Sequence, residues 1–165
     1  MEFVILGILF VAVLVFISSR IRRVTGRAFE PEVIETEEFS IIKPEGFIHP
    51  LNDKSEYAFE AYSREFGKKE AGTFRQAQAV VRVHSDFKLD ENAQKIPADN
   101  IPEDQEIYFL ESEKIENEVT VQTIQKIIEV PRKGKVYELK ISALKEHKED
   151  FLRSINEMLD SFRVK

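Results

Sequence analysis

Residues 136–162 decide the fold: Val136-Tyr-Glu-Leu-Lys-Ile-Ser-Ala-Leu144, then Glu146-His-Lys-Glu-Asp-Phe-Leu-Arg-Ser-Ile-Asn-Glu-Met-Leu-Asp-Ser-Phe162. In the first half Tyr137, Leu139, Ile141 and Ala143 fall at every second position, which puts them on one face of a strand. In the second half the period changes. Phe151, Leu152, Ile155, Met158, Leu159 and Phe162 recur at helical spacing and form one apolar stripe. Glu146, Glu149 and Asp150 crowd its first turns and Arg163 and Lys165 follow its end, as the helix dipole favours. A strand with one apolar face, followed by a helix with one apolar stripe, predicts a helix lying on a sheet.

The strand period extends upstream. Ile107–Ile115 and Glu118–Val130 are rich in Ile, Val and Thr and are separated by Glu116-Asn117, while Pro131-Arg-Lys-Gly134 makes the next turn. These segments and Val136–Leu144 form an antiparallel meander. Gln76–His84, with Ala77, Ala79, Val81 and Val83 on one face, answers a strand within Ser55–Phe66 across the loop Gly67–Gly72. Ser55–Phe66 also carries a helical pattern, but its aromatics favour the strand. Phe39-Ser-Ile-Ile-Lys43 reads as a strand. Pro44-Glu45-Gly46 then turns, since proline fixes φ at the first corner and glycine tolerates the exit, and Phe47–Pro50 continues extended. Leu89–Glu106, with two prolines, two asparagines and six acids, has no period and reads as a long loop, either a solvated insertion or a functional one.

The N-terminus is of a different kind. Phe3–Ile17, FVILGILFVAVLVFI, is fifteen residues without a polar side chain. As a helix it spans about 22 Å, and with Met1, Glu2, Ser18 and Ser19 about 28 Å, enough for a slightly thinned bilayer. A cleaved signal peptide would need a basic stretch before the apolar run and small residues at the cut. Here Glu2 precedes the run, and cleavage after Ser18 or Ser19 would leave Phe16 or Ile17 three residues back. An uncleaved anchor therefore stands ahead of a cleaved signal and of a buried core helix, which would strand the arginines beside it. Arg20, Arg22, Arg23 and Arg27 follow the run, so the positive-inside bias holds the C-terminal side in the cytoplasm. The expected organisation is an anchor at 1–19, a basic then acidic connecting segment at 20–38, of which 28–38 reads as a linker or an extended lead-in strand, and a soluble domain at 39–165.

Setting aside those four arginines and Glu2 leaves 20 basic and 29 acidic residues from Ala28 onward, a net charge of about −9. An acidic domain repels nucleic-acid backbones, so no nucleic-acid partner is expected. With no cysteine, disulfides, thiol catalysis and thiolate metal sites are excluded. The partners expected are membrane lipid, through residues 3–17, and a protein.

The order Phe39-Ser-Ile-Ile-Lys-Pro-Glu-Gly-Phe47, a meander, Tyr137-Glu-Leu-Lys-Ile-Ser142 and a last helix ending Met158-Leu-Asp-Ser-Phe-Arg163 resembles the PsbP-like family over about residues 39–163. Phe47 stands where that family often has Trp. The resemblance implies an antiparallel sheet flanked by helices and a non-catalytic assembly or partner-binding role, with no catalytic residues to carry over. It also implies a lumenal or secreted setting, at odds with the arginine flank.

Candidate chemistry is sparse. His49, His84 and His147 lie far apart in sequence. His84 and Asp86, two residues apart, offer a two-ligand metal fragment that no HxxxH or HExxH spacing completes. No GxSxG, P-loop or GxGxxG is present, and adjacent carboxylates such as Glu37-Glu38 and Glu103-Asp104 point apart on a strand. Tyr57, Phe59, Tyr62, Phe66 and Phe74 could line a pocket or groove, or simply be core. The expectation is α+β: a mostly antiparallel sheet covered by a C-terminal amphipathic helix and preceded by one transmembrane helix. The expected function is a membrane-anchored interaction or assembly domain, not an enzyme and without a cofactor. A small-molecule or lipid-binding domain and an extracytoplasmic PsbP-like accessory protein are the alternatives.

Overall fold

A computed structural model describes residues 13–16, 27–50, 55–67, 74–97, 102–116 and 118–165. The chain is α+β, and the elements whose bounds are described are ten strands and a C-terminal α-helix. In order they are β1 (Glu32–Glu35), β2 (Phe39–Lys43), β3 (Phe47–Ile48), β4 (Phe59–Ser63), β5 (Ala77–His84), β6 (Gln94–Lys95), β7 (Glu106–Glu116), β8 (Val119–Val130), β9 (Lys135–Leu144), α1 (Lys148–Ser161) and β10 (Arg163–Val164). The main sheet runs β3-β4-β5-β9-β8-β7-β6, and a second sheet runs β1-β2-β10, with every pair antiparallel.

The alternation that predicts the meander places its residues as expected. Tyr137, Leu139, Ile141 and Ala143 are 3% exposed or less and face α1 together with Ala77, Ala79 and Val81. Small residues on β5 beside large ones on β9 leave room for Ile155 and Met158 of the helix and for Phe162 just after it. Phe39 meets Phe162 edge-on at 5.9 Å, and Phe47 meets Phe151 at 5.7 Å. The Pro44–Gly46 turn is present, with Gly46 at φ +84°, and Gly134 closes the β8–β9 turn at φ +60°.

Several details differ from the sequence expectation. The helix begins at Lys148, because Lys145–His147 forms a 3-10 turn first. Leu152 lies on the edge of the stripe and is 39% exposed. Within the connecting segment, which the sequence leaves open as a linker or an extended lead-in strand, Glu32–Glu35 is a strand paired with β2. The 89–106 stretch contains β6, which pairs briefly with β7. Of the anchor, Val13–Phe16 is helical with side chains 46–67% exposed; the remainder of Phe3–Ile17 and Arg20, Arg22 and Arg23 lie outside the described residues. Among the described residues no helix is long and apolar enough to cross a membrane.

Register gives the sheet two unlike ends. One holds Ser63, Ala77 and Ala143; the other holds His84, Val136 and Glu106. The eight residues of β5 separate them by about 24 Å. Phe29 lies at the first end, where its carbonyl accepts from Gly46 N at 2.9 Å. The starts of the segments at 85 and before Glu106, the β8–β9 turn and the chain's last residue gather at the second, where Lys133 bonds the Lys165 carbonyl.

Candidate functional site

Two features converge at the second, distal end. The first is a cleft of about 400 Å³ between the 95–107 segment and the β8–β9 turn, walled by Lys95, Ile96, Pro102, Ile107, Pro131 and Arg132. Its loop wall is fastened at both sides. Ile96 N donates to the Ile107 carbonyl at 2.9 Å, and Gln105 Nε2 donates to the Val164 carbonyl at 3.3 Å. Glu106 lies at its rim, accepting from the Tyr108 hydroxyl at 2.5 Å and paired with Lys95 at 2.9 Å. The Tyr108 hydrogen bond, then the one from Lys95, holds the Glu106 carboxyl below its usual range. The same bond pushes Tyr108 up to about 12, with burial adding to it. Glu106 is thus a fixed anion and Tyr108 a fixed donor. Neither is poised to exchange a proton near neutral pH. Apolar walls thus lie under a rim that carries both charges.

The second feature is on the sheet face away from α1. Glu138 is 5% exposed, and His84 Nε2 lies 3.2 Å from its Oε2. Phe87 tilts against the imidazole at 5.0 Å. Arg82, directly across from Glu138, lies over the Tyr57 ring at 4.9 Å and donates to its hydroxyl at 3.2 Å. The carboxylate that His84 meets is Glu138; β5 ends at His84 and Asp86 lies in the bend that follows. Among the described residues no group of three or more His, Asp or Glu could hold a metal ion.

The other singled-out residues scatter. His49 Nδ1 is 2.7 Å from the Glu60 carbonyl and its ring stacks on Phe59, while His147 sits at the start of α1 with Nδ1 3.3 Å from Asp150. Phe59 is core at 1% exposed, whereas Tyr62 and Phe66 flank the Arg75 guanidinium at the first end. Sequence reasoning passed over two buried lysines. Lys43 is 1% exposed and Lys126 is 6% exposed, each at an inward strand position. Lys126 Nζ donates to the Leu159 carbonyl at 2.6 Å and the Phe162 carbonyl at 3.1 Å, capping α1. Their parity, with Lys43 after Phe39 and Ile41 and Lys126 between Ile124 and Ile128, was the available signal.

No family model matches the chain, and no curated protein matches it. Among solved structures, a protein of Bacteroides thetaiotaomicron is similar at 11% identity with a TM-score of 0.47, over 77% of this chain and 45% of that one. The chain therefore spans less than half of that protein. The solution structure of cyanobacterial PsbP (CyanoP) from Synechocystis sp. PCC 6803 is similar at 10% identity with a TM-score of 0.39, over 83% of this chain and 94% of that one. Likenesses this distant assign the chain neither a family nor an activity.

Proposed function

We propose that the chain is a single-pass, membrane-anchored interaction or assembly domain without catalytic activity, presenting its distal cleft to a protein partner on the cytoplasmic side. The observation that carries this reading is the polarity of the fold. The chain leaves the apolar segment and its arginines, enters the domain at the Phe29 end, and gathers its long connection and cleft about 24 Å away. A domain whose chain enters at one end leaves the cleft at the other end free to reach something beyond the membrane surface. The test is affinity purification of the full chain from detergent-solubilised membranes. A partner should be recovered with the wild type and lost with Lys95→Glu/Arg132→Glu. Recovery unchanged by that pair of substitutions would remove the cleft from the reading.

A second reading, a tethered small-molecule or lipid-binding domain, draws support from the cleft volume, at the small end of ligand sites. Its interior form has less behind it, since Leu139, Ile141, Ile155 and Met158 fill the sheet–helix interface at 2% exposure or below. The extracytoplasmic PsbP-like accessory role rests on the motif order from Phe39 to Arg163. A reporter fused after Lys165 separates it from the cytoplasmic reading: activity outside the cytoplasm would reverse the orientation that the arginines imply.

A further inference from the structure

We propose that the first end of the sheet, bearing Phe29, Arg64, Phe66 and Arg75, is seated on the phospholipid headgroups beside the anchor. This rests on the membrane-anchor reading above and adds the surface by which the domain meets the bilayer. The lead-in is latched there. Lys43 Nζ donates to the Ala28 carbonyl at 2.9 Å and to those of Glu30 and Phe47, and Gly46 N donates to the Phe29 carbonyl. Only residues 18–26 then separate the apolar run from the latched chain, a reach of at most about 30 Å.

The chemistry of that end matches the interface. Phe66 is 49% exposed. Arg75 stacks on it at 3.8 Å and on Tyr62 at 4.4 Å, and Arg64 lies over Phe29 at 5.5 Å. Aromatic rings with guanidinium groups against them are the side chains that settle at headgroup depth, the ring in the acyl boundary and the cation at phosphate. Glu45 and Glu65 line the adjoining hollow of about 440 Å³, so the end is not strongly basic. Seating by ring insertion and local arginine–phosphate contacts, rather than by net charge, is therefore the mode. Arg75 is already oriented by the rings it covers and by the Arg64 carbonyl, to which its Nη1 donates at 2.8 Å, which lowers the ordering cost of binding.

The chain has no tryptophan, so single tryptophans report position without background. The full chain is reconstituted in phosphatidylcholine–phosphatidylglycerol vesicles with or without brominated acyl chains, carrying Phe10→Trp, Phe66→Trp or Arg132→Trp. Far-UV circular dichroism checks each variant, and Arg64→Trp replaces Phe66→Trp should the latter misfold. Bromine should quench Phe10→Trp strongly and Phe66→Trp about twofold, as for a ring 5–10 Å into the boundary, and leave Arg132→Trp unchanged. Quenching of Phe10→Trp without Phe66→Trp, or of Arg132→Trp as much as Phe66→Trp, would overturn the seating and leave the anchor standing. No quenching of Phe10→Trp would remove the anchor reading and this one with it.

Discussion

Lys43→Met tests whether the chain leading into the domain is a latched part of it. The lysine sits at the end of β2, where its stem continues the buried row of Phe39 and Ile41 and its ammonium meets the carbonyls of Ala28, Glu30 and Phe47. Burial pulls its pKa below 10.5, against the opposing pull of Glu32 and Glu30. Methionine keeps the stem and the volume but removes the donors. Charge-assisted hydrogen bonds are worth about 1.5–3 kcal/mol each, and relief from burying an ammonium returns several kcal/mol of their sum. The net cost should be about 2–4 kcal/mol, or roughly 10 °C in Tm for a domain of this size. The loss should also be local. Trypsin should cleave after Arg27 faster, and amide exchange should rise between Ala28 and Glu35, while β8 and β9 keep their protection until global unfolding. A Lys43→Met protein with unchanged Tm and an unchanged cleavage rate at Arg27 would refute the latch.

Three other outcomes follow from the same geometry. Burial, then the nearby Arg163, pushes Lys126 down to about 8, with Asp160 opposing. Between that value and 10.5 the unfolded chain holds a proton that the folded one has lost, so this group makes unfolding harder as pH rises. Urea titrations should therefore show Lys126→Met costing about 1 kcal/mol at pH 7 and more at pH 10; a difference that stays flat would contradict the assignment. Glu118 closes the β7–β8 hairpin at φ +68°, so Glu118→Gly should raise stability by about 1 kcal/mol, seen as a higher urea midpoint at constant m. Ser63 accepts from Ala77 N at 3.0 Å and donates to the Glu65 carbonyl at 3.1 Å, both at the first end. Ser63→Ala should cost about 1–2 kcal/mol by thermal unfolding, through the buried amide it leaves unpaired.

The sheet–helix core was legible because its signals are local and periodic. Tyr137 to Ala143 alternate and Phe151 to Phe162 follow a helical stripe, so a short window suffices to read each. What depends on pairing across long separations was not legible. Nothing within β5 or β9 says that Ala77–His84 lies beside Val136–Ala143, more than fifty residues on, or that Arg163–Val164 returns to Phe39. The site suffered most from this. Glu138 has outward parity, and the groups it meets, Arg82 and Ile127 on the neighbouring strands and the His84 ring, are delivered by other segments. The distal cleft likewise joins a proline-rich loop to a turn that sequence treats as separate.

Lys43 and Lys126 show why inward strand lysines need not count against a strand. Each lends its four-carbon stem to the core and delivers its ammonium to carbonyls that an irregular segment or a helix end leaves unpaired. Lys43 does this where the chain enters the domain, and Lys126 does it at the far end of α1. The two tasks are separable, and that separates the two functional readings. Releasing residues 27–31 with Lys43→Met would add about 17 Å to the tether. The Phe66→Trp reporter should then lose bromine quenching while the distal cleft, more than 20 Å away along the strands, still captures its partner. Loss of both together would mean that the cleft depends on how the domain is seated, and the two ends would have to be treated as one site.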